Sequence, residues 1–409
     1  MSTFVTHLES ALDGTRLPAG TIQTVHRDRP LWVRYDLEQV GRAVSKDELE
    51  TRPPTMWRYR ELLPTGDDVV SLGEGMTPLL PCPRLGERFG LSDLWIKDES
   101  LLPTGSFKSR GLAVAVNMAR QFGIKRLAIP TAGNAGAAMA AYAARAGMEA
   151  FVFMPNDTPA VNRYECLLYG AKTFLVDGLI TDCARIVREG RDVMNWFDFS
   201  TLREPYRIEG KKTMGLELAE QCGWKLPDVI LYPTGGGTGL IGMSKAFDEL
   251  AALGWLESDT RPRMVSVQSD GCCPIVRAYD KGERFAEPWQ NARTIATGLR
   301  VPAAVGDFMI LDAVRASGGR AVAVREERIP EWMNLAASCE GIPVCPEAAV
   351  CIGALERLVS EGWIAPDERV VIFNTGAAQK YVEAITTDIP LLAKDAPVDW
   401  DSLAGGKSD

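Results

Sequence analysis

A glycine-rich loop is the strongest chemical signal in the sequence. It reads Pro233-Thr-Gly-Gly-Gly-Thr-Gly239, follows an apolar strand pattern and opens a helical pattern. Glycines let backbone amides approach an anion, and a helix N-terminus adds partial positive charge, so a phosphate is the natural ligand. The alternative is a tight strand-to-helix turn, but four glycines in five positions exceed what a turn needs. The loop therefore predicts an anion-binding site.

The same loop also fits a dinucleotide-binding pattern. Gly237, Gly239 and Gly242 form a GxGxxG match, and Asp270 stands at the end of the next predicted strand. In a dinucleotide-binding fold an acidic residue at that point binds the ribose. The match is a lone motif and lies far from the start of its strand–helix series, which makes this interpretation the weaker one. No Gly-Lys-Ser/Thr ends the run, so the loop is not a P-loop.

A lysine at a predicted helix start is the second signal. Lys108 follows the Gly/Ser turn of Pro103–Ser106 and precedes Arg110 by two positions. The positive end of the helix dipole and Arg110 are both expected to lower the pKa of Lys108 by favouring its neutral amine. A neutral lysine amine can bond covalently to a carbonyl carbon and then carry protons. Taken alone, the segment would favour an ordinary solvated lysine.

Two further segments lie where predicted strands end. Thr131-Ala-Gly-Asn134-Ala-Gly136 precedes an Ala-rich helix, so its amides and the Thr131 hydroxyl could bind a carboxylate. The alternative is that Asn134 simply caps that helix. Thr375 follows the last predicted strand, and a hydroxyl there commonly faces the ligand crevice of a parallel sheet. Its alternative is a simple turn.

The composition limits the chemistry that these segments could perform. The 409 residues include only two histidines, His7 and His26, both before the first clear core segment. The main body therefore has no Ser-His-Asp or Cys-His apparatus and no histidine-ligated zinc. Its chemistry must use lysine, carboxylates, hydroxyls, thiols or a cofactor.

Charge and cysteine usage indicate a cytoplasmic protein with a small-molecule ligand. The net charge of −9 argues against nucleic acid and anionic membranes as partners. The nine cysteines form no CxxC pair and are typical of reduced thiols. The N-terminus has no apolar signal core, and no apolar run of about 18 residues predicts a membrane span.

The elements that must position these segments alternate along the chain. Strands are predicted at 127–130, 149–155, 172–177, 228–233, 264–268, 319–324 and 369–373, and helices at 135–147, 158–170, 181–195 and from the glycine loop to 253. Strands separated by helices of this length imply parallel sheets. Two strand–helix halves result, at 110–200 and 225–375, whereas residues 1–65 are polar and predicted to be irregular.

Together these motifs resemble the fold-type II pyridoxal-phosphate enzymes, most closely the threonine synthase family. The resemblance runs from about Pro30 to Thr387 and rests on the following segments: Gly73-Glu-Gly-Met-Thr-Pro78, Leu94-Trp-Ile-Lys-Asp-Glu99, Ser106-Phe-Lys108, Gly133-Asn134, Tyr206-Arg-Ile-Glu-Gly-Lys-Lys-Thr213 and the glycine loop. It implies two open, mainly parallel twisted sheets with flanking helices and the cofactor, pyridoxal 5'-phosphate, between two domains. The combination is highly specific for fold and cofactor and less specific for the reaction.

The resemblance also implies roles for individual residues. Lys108 would hold the cofactor covalently and move protons, Asn134 would hydrogen-bond the ring oxygen, and Thr375 the ring nitrogen. The cofactor phosphate would be bound by Gly235, Gly236, Gly237 and Thr238. The substrate carboxylate would be bound by Thr131, Ala132, Gly133, Asn134 and Ala135. Arg207 would bind a substrate phosphate, assisted by Ser200 or Thr201; its alternative is a salt bridge with an acid such as Glu209.

The implied reaction converts O-phosphohomoserine and water to threonine and phosphate, with a small anionic amino acid as substrate and a homodimer as the assembly. Several positions depart from the family. The glycine loop lacks asparagine, Ser109 follows the lysine where aspartate is common, Leu102 replaces an asparagine, and the last motif continues Ala377-Ala-Gln-Lys380. These changes leave open another β-elimination or β-replacement enzyme, similar to threonine and serine dehydratases or to O-phosphoserine and cysteate synthases. They also leave open a catalytically silent interaction protein.

The N-terminus departs most. Relatives often carry a four-cysteine zinc ribbon before the segment that here reads Pro30-Leu-Trp-Val-Arg-Tyr-Asp-Leu37, yet no cysteine precedes Cys82. We therefore expect no metal, and expect residues 1–29 to be rebuilt on hydrophobic packing or moved to a new role. The predicted division is an N-terminal extension over 1–65, a large cofactor-binding domain over 66–105 and 203–390, a small mobile domain over 106–202, and a frayed tail over 391–409.

Overall fold

Buried apolar strands alternate with helices along most of the chain. The computed structural model describes residues 3–258, 260–385, 389, 391–392, 394–395 and 397–403. The strands are β1 Val5–Ser10, β2 Arg16–Leu17, β3 Leu31–Tyr35, β4 Leu79–Pro81, β5 Asp93–Asp98, β6 Arg126–Pro130, β7 Glu149–Pro155, β8 Lys172–Val176, β9 Phe197–Asp198, β10 Val229–Pro233, β11 Arg263–Ser269, β12 Arg320–Val324 and β13 Arg369–Asn374.

The four helices with bounds predicted from the sequence are found within about two residues of those bounds. The α-helices are α1 Leu37–Ala43, α2 Lys46–Glu50, α3 Pro83–Phe89, α4 Lys108–Gln121, α5 Asn134–Arg145, α6 Ala160–Leu168, α7 Ile180–Met194, α8 Tyr206–Gln221, α9 Thr238–Ala252, α10 Pro274–Asp280, α11 Asp307–Ala316, α12 Ile329–Glu340, α13 Pro346–Ser360 and α14 Trp400–Leu403. No helix in the described ranges is long and apolar enough to cross a membrane.

The larger sheet has the strand order β12-β11-β10-β13-β5-β4. Its neighbouring strands run parallel except β4, which pairs antiparallel with β5 at the edge. Every residue of β10 is buried, as expected for a parallel strand covered by helices on both faces. A second, four-stranded parallel sheet has the order β8-β7-β6-β9. The predicted class of two mainly parallel sheets with flanking helices is confirmed.

The second sheet lies wholly within the predicted small domain, residues 106–202, but the domain boundaries themselves stay a prediction. Helix α4, which begins that segment, packs against α8 of the following one. Helices α4 and α5 also share a hydrophobic cluster with residues before 65. Part of the predicted tail, 391–409, lies outside the described residues, and the described part includes the short helix α14.

The prediction that residues 1–65 are irregular is wrong. Strands β1, β2 and β3 form an antiparallel sheet in the order β2-β1-β3. Leu8, Leu31 and Val33 are fully or almost fully buried and join one hydrophobic cluster with Leu112 of α4 and Ala138 of α5. Hydrophobic packing therefore organises this region, which favours the first of the two alternatives. Among the described residues, no group of three His, Cys, Asp or Glu side chains could hold a metal ion.

Candidate active site

A cavity with an empty volume of about 1270 Å³, including its open mouth, lies where strands of both sheets end. The loops after β6, β10 and β13 and the start of α4 form its walls, because the carboxyl ends of parallel strands meet at one edge of each sheet. The predicted site residues on these walls are Lys108, Thr131, Ala132, Gly133, Asn134, Ala135, Ser200, Thr201, Gly235, Gly236, Gly237, Thr238 and Thr375. The structure thus brings together every predicted site residue except Arg207.

Lys108 is the first residue of α4 and opens partly to the cavity. Its amine lies 4.5 Å from the centre of the Phe107 ring. Burial and, after it, the positive charge of Arg207 lower the pKa of Lys108 to about 8, while the charge of Glu347 acts in the opposite direction. A sizeable fraction of the amine is therefore neutral near physiological pH.

The expectation that Arg110 lowers the pKa of Lys108 is wrong. The Arg110 side chain is fully buried and points away, with its Nε 2.6 Å from Glu99 Oε2 and its Nη1 2.8 Å from Glu217 Oε2. Lys97 completes this buried network, with its amine 2.5 Å from Glu217 Oε1. Because these charges connect β5, α4 and α8, they fix the beginning of the helix that carries Lys108.

Two glycines in the loop after β10 cannot be replaced without moving neighbours. A Cβ on Gly235 would lie 2.3 Å from the carbonyl oxygen of Gly298. Gly237 has a φ of +73°, and a Cβ there would lie 2.2 Å from Ile310 Cγ1. Helix α9 then begins at Thr238 and runs for 15 residues, so its N-terminal amides and dipole face the same loop. This arrangement, called the glycine cradle below, has the geometry that suits a phosphate.

The proposal that Asn134 is only a helix cap is wrong, because Gly133 holds the cap position and Asn134 is the first helical residue. The Asn134 Nδ2 donates to the Tyr381 hydroxyl at 2.8 Å, whereas its Oδ1 is buried and has no hydrogen-bond partner. The Thr131 hydroxyl is held locally, since it donates to the Gly133 carbonyl at 3.0 Å and accepts from the Gly133 amide at 3.1 Å. The backbone amide of Gly133 is therefore already engaged.

Thr375 lies across the cavity, directly after β13. Its backbone carbonyl accepts a hydrogen bond of 3.1 Å from the Phe107 amide, which ties this loop to the residue before Lys108. Its hydroxyl has one sulfur contact, 3.7 Å from Cys345 Sγ. The hydroxyl therefore has bonding capacity left for a ligand in the cavity.

Arg207 lies behind the wall rather than on it. Its Nη1 donates to the Thr201 hydroxyl at 3.1 Å and its Nη2 to the Phe199 carbonyl at 2.5 Å, while its Nε lies 3.4 Å from Glu204 Oε1. The alternative of a salt bridge with a nearby acid is confirmed, but the acid is Glu204. Glu209, the example named, pairs instead with two lysines, Lys212 and Lys245. Arg207 thus positions Thr201, and its predicted contact with a substrate phosphate stays a prediction.

Sequence reasoning missed several polar residues on the walls. The charged ones are Glu347, at the start of α13, and Arg300. Glu347 Oε1 accepts from the Gly298 amide at 2.8 Å, and its Oε2 is buried with no hydrogen-bond partner. The hydroxyls of Thr297 and Tyr381 also line the cavity. None of these residues belongs to a glycine-rich turn, so no local motif marked them.

These features fit the cofactor that the resemblance implies. Pyridoxal phosphate carries a phosphate, which the glycine cradle suits, and a ring with polar substituents, which the free Asn134 oxygen and the Thr375 hydroxyl could meet. Lys108 opens to the same cavity with an amine that is partly neutral.

Comparison with known proteins agrees with this chemistry. Residues 70–376 match the family described as "Pyridoxal-phosphate dependent enzyme". The chain is 37% identical over 357 residues to the threonine synthase of Methanocaldococcus jannaschii, covering 87% of each protein. It is 33% identical over 350 residues to that of Mycobacterium tuberculosis, covering 85% of this chain and 94% of the relative.

Solved structures share the fold. Maize serine racemase superposes with a TM-score of 0.64 at 21% identity, covering 74% of this chain and 88% of the racemase. Diaminopropionate ammonia lyase from Escherichia coli superposes with a TM-score of 0.66 at 19% identity, covering 77% of this chain and 88% of the lyase. The chain therefore belongs to the pyridoxal-phosphate-dependent enzymes of fold-type II, and among them to the threonine synthase family.

Proposed function

We propose that the enzyme converts O-phosphohomoserine and water to threonine and phosphate in the cavity around Lys108. The observation that carries this proposal is the 37% identity to a threonine synthase along 87% of both chains. The cavity supports it, because one lysine, one glycine cradle and three strand ends converge there. The overall reaction breaks the bond between Cγ and the phosphate oxygen and places a hydroxyl on Cβ.

Bound pyridoxal phosphate supplies an electron sink for the charge that remains on Cα after a proton is removed. Lys108 is the proton carrier in our proposal: it takes protons from Cα and then from Cβ. Protons then return to Cγ, which becomes the methyl carbon, and to Cα, while water supplies the hydroxyl on Cβ. The Lys108 pKa of about 8 suits both directions of transfer, since an acid–base group works best near the operating pH. The histidine-free main body is compatible with this assignment, because lysine and the cofactor carry the chemistry.

The remaining wall residues bind and orient. The amides of Gly235, Gly236, Gly237 and Thr238 are proposed to bind the cofactor phosphate, Asn134 the ring oxygen and Thr375 the ring nitrogen. The loop Thr131–Ala135 is proposed to bind the substrate carboxylate at the N-terminus of α5, where the helix dipole favours an anion. Ser200 and Thr201 face the cavity from the opposite loop and suit the outer part of the substrate.

A substrate panel tests the proposed reaction. Cofactor-loaded enzyme is incubated with O-phosphohomoserine, serine or threonine, and phosphate, threonine and 2-oxo acids are measured. We expect phosphate and threonine in equal amounts from O-phosphohomoserine. A 2-oxo acid from serine or threonine as the main product would instead establish the alternative, an elimination of the dehydratase type.

The role of Lys108 is tested in the same preparation. Lys108→Ala should lose both turnover and the visible absorption of the covalently held cofactor, because no other amine opens to the described part of the cavity. Lys125→Ala, which alters an exposed lysine, is the matched control and should keep both. Retained visible absorption in Lys108→Ala would contradict the assignment.

We also infer that the enzyme acts in threonine biosynthesis, as a homodimer in the cytoplasm. The nine cysteines are all free, which suits a reducing compartment. The dimer is inferred from the family resemblance. Sedimentation equilibrium of the loaded enzyme would measure it, and a monomeric mass would refute this part of the proposal.

A further inference from the structure

Only two cationic side chains line the described part of the cavity, Lys108 and Arg300. Lys108 is assigned to the cofactor and to proton transfer. Arg207 lies behind the wall, with its two terminal nitrogens donating to Thr201 and Phe199. Arg300 is therefore the cation on the cavity wall to which no role has yet been given.

The base of Arg300 is fixed to the centre of the site. Arg300 follows the short 3-10 helix Thr297–Leu299, in which the Gly298 amide donates to Glu347 Oε1 at 2.8 Å. The Gly298 carbonyl oxygen packs so closely on Gly235 that a Cβ there would approach it to 2.3 Å. The backbone that carries Arg300 is thus in contact with the proposed cofactor cradle.

The guanidinium of Arg300 makes a bidentate ion pair with Asp157. Nη1 lies 2.7 Å from Oδ2 and Nη2 lies 2.8 Å from Oδ1. The Arg300 side chain is 14% exposed, whereas that of Asp157 is 56% exposed. Asp157 follows β7 of the four-stranded sheet, so the pair joins the loops of the two sheets across the edge of the cavity.

This geometry has the properties of an occupied anion site. The two carboxylate oxygens of Asp157 stand where two phosphate oxygens would stand, because a guanidinium presents the same two parallel donors to either group. Since Asp157 is more than half exposed, water can solvate its charge when it leaves. Arg300 is mostly enclosed and would need another anion in its place.

We propose that Arg300 selects the phosphate of the substrate, and that Asp157 holds Arg300 in place until that phosphate displaces it. This inference rests on the proposed function, since it presumes a phosphorylated amino acid. It adds Arg300 to the residues proposed for phosphate recognition and leaves the predicted contact of Arg207 with that phosphate as it stands. Asp157 competes with the phosphate, so removing its charge should tighten phosphate binding.

The test uses cofactor-loaded enzyme, in which the glycine cradle is already filled, with inorganic phosphate as the probe. We measure its inhibition constant against O-phosphohomoserine, together with the KM for that substrate. Arg300→Gln should raise both by about 10- to 100-fold, the usual loss for a bidentate charged hydrogen bond. Asp157→Asn should lower the inhibition constant by about two- to fivefold, because the lost competitor is a largely exposed partner.

The opposite directions of these effects distinguish selection from a structural latch. In the double variant the effect of Asp157→Asn should vanish, leaving the Arg300→Gln values. Arg300→Lys keeps the charge but loses the two parallel donors of the guanidinium. Its inhibition constant and KM should lie between those of the wild type and Arg300→Gln. Arg284→Gln, which breaks a similar Arg–Asp pair with Asp312 outside the cavity, is the control and should change neither constant.

The inference and the proposed function fail in different ways. If wild-type enzyme makes threonine and Arg300→Gln keeps the wild-type constants, Arg300 does not select the phosphate, and only the inference is overturned. If both single variants weaken phosphate binding alike, the pair is a latch between the loops, which also overturns it. If wild-type enzyme releases no phosphate from O-phosphohomoserine, the proposed function fails first. Visible absorption of the cofactor checks that each variant is folded and loaded.

Discussion

Replacing Lys108 by methionine should remove a charge penalty and so stabilise the cofactor-free protein at pH values below about 10.5, the pKa of an ordinary lysine. The amine has a pKa of about 8 in the folded protein against 10.5 for an ordinary lysine. Between these values the unfolded chain binds more protons than the folded one, so the stability of the wild type rises with pH across this window. At pH 7.5, below both pKa values, almost the whole penalty for charging the buried amine remains and destabilises the wild type.

The magnitude follows from the two pKa values. The two pKa values differ by about 2.5, and one pKa unit corresponds to about 1.36 kcal/mol, so the difference amounts to about 3 kcal/mol. Because Lys108 opens partly to the cavity, water screens the charge and this value is an upper bound. The free energy of unfolding of Lys108→Met should therefore exceed that of the wild type by up to about 3 kcal/mol at pH 7.5, and by much less at pH 10.5.

Urea unfolding of both cofactor-free proteins at pH 7.5 and pH 10.5 measures this difference. The packing of the methionine contributes equally to the free energy of unfolding at both pH values. The effect of the charge is therefore the change, from pH 7.5 to pH 10.5, in the stability difference between Lys108→Met and the wild type. Lys125→Met, at an exposed position, is the control and should show the same offset at both pH values. If the Lys108→Met offset is also equal at both, the charge of Lys108 is not suppressed by burial and the reasoning is refuted.

Gly235→Ala should weaken cofactor binding by at least about tenfold, because the added Cβ would force away the Gly298 carbonyl. Fluorescence titration of the cofactor-free protein measures the affinity, and an unchanged affinity would contradict the role of the glycine loop in binding the cofactor phosphate. Glu217→Gln should lower the free energy of unfolding by about 3–5 kcal/mol in urea, since it leaves Arg110 buried with one carboxylate fewer. Leu31→Ala should cost about 2–5 kcal/mol in the same assay if the N-terminal sheet packs as described, whereas a loss below about 1 kcal/mol would show that it does not. Purified protein should contain no stoichiometric zinc by emission spectrometry, and one zinc per chain would overturn the loss of the ribbon metal.

The strands around the site could be predicted because they are short, apolar and enclosed by helices. The sequence predicts a strand at 149–155, and β7 has those bounds. A parallel strand buried on both faces needs apolar residues throughout, so its limits appear directly as changes in composition. The loops that follow such strands meet at one sheet edge, which is why Thr131, Gly235 and Thr375, each predicted just after a strand, lie on one cavity; their assignment to a single site came from the family resemblance.

The N-terminal sheet could not be predicted in this way. Strand β1 reads Val-Thr-His-Leu-Glu-Ser and pairs with β3 more than twenty residues later, so no local turn signals the pairing. Its buried residue Leu8 packs in a cluster that includes Leu112 of α4, about a hundred positions away. One of the two buried residues of β1, Ser10, is polar, so the segment shows no alternation of apolar and polar residues that would indicate a strand.

The error over Arg110 shows why charges near a reacting group are harder to assign than backbone. Residues two apart on a helix point about 200° away from each other, so Arg110 faces Glu99 and Glu217 while Lys108 faces the cavity. The cation that acts on Lys108 is Arg207, which is 99 positions away and arrives because α8 packs against α4. Sequence neighbours along a helix are therefore poor guides to the pKa of a catalytic lysine. Arg300 extends the same point, since it lines the cavity next to Gly298, whose carbonyl oxygen packs on the distant Gly235.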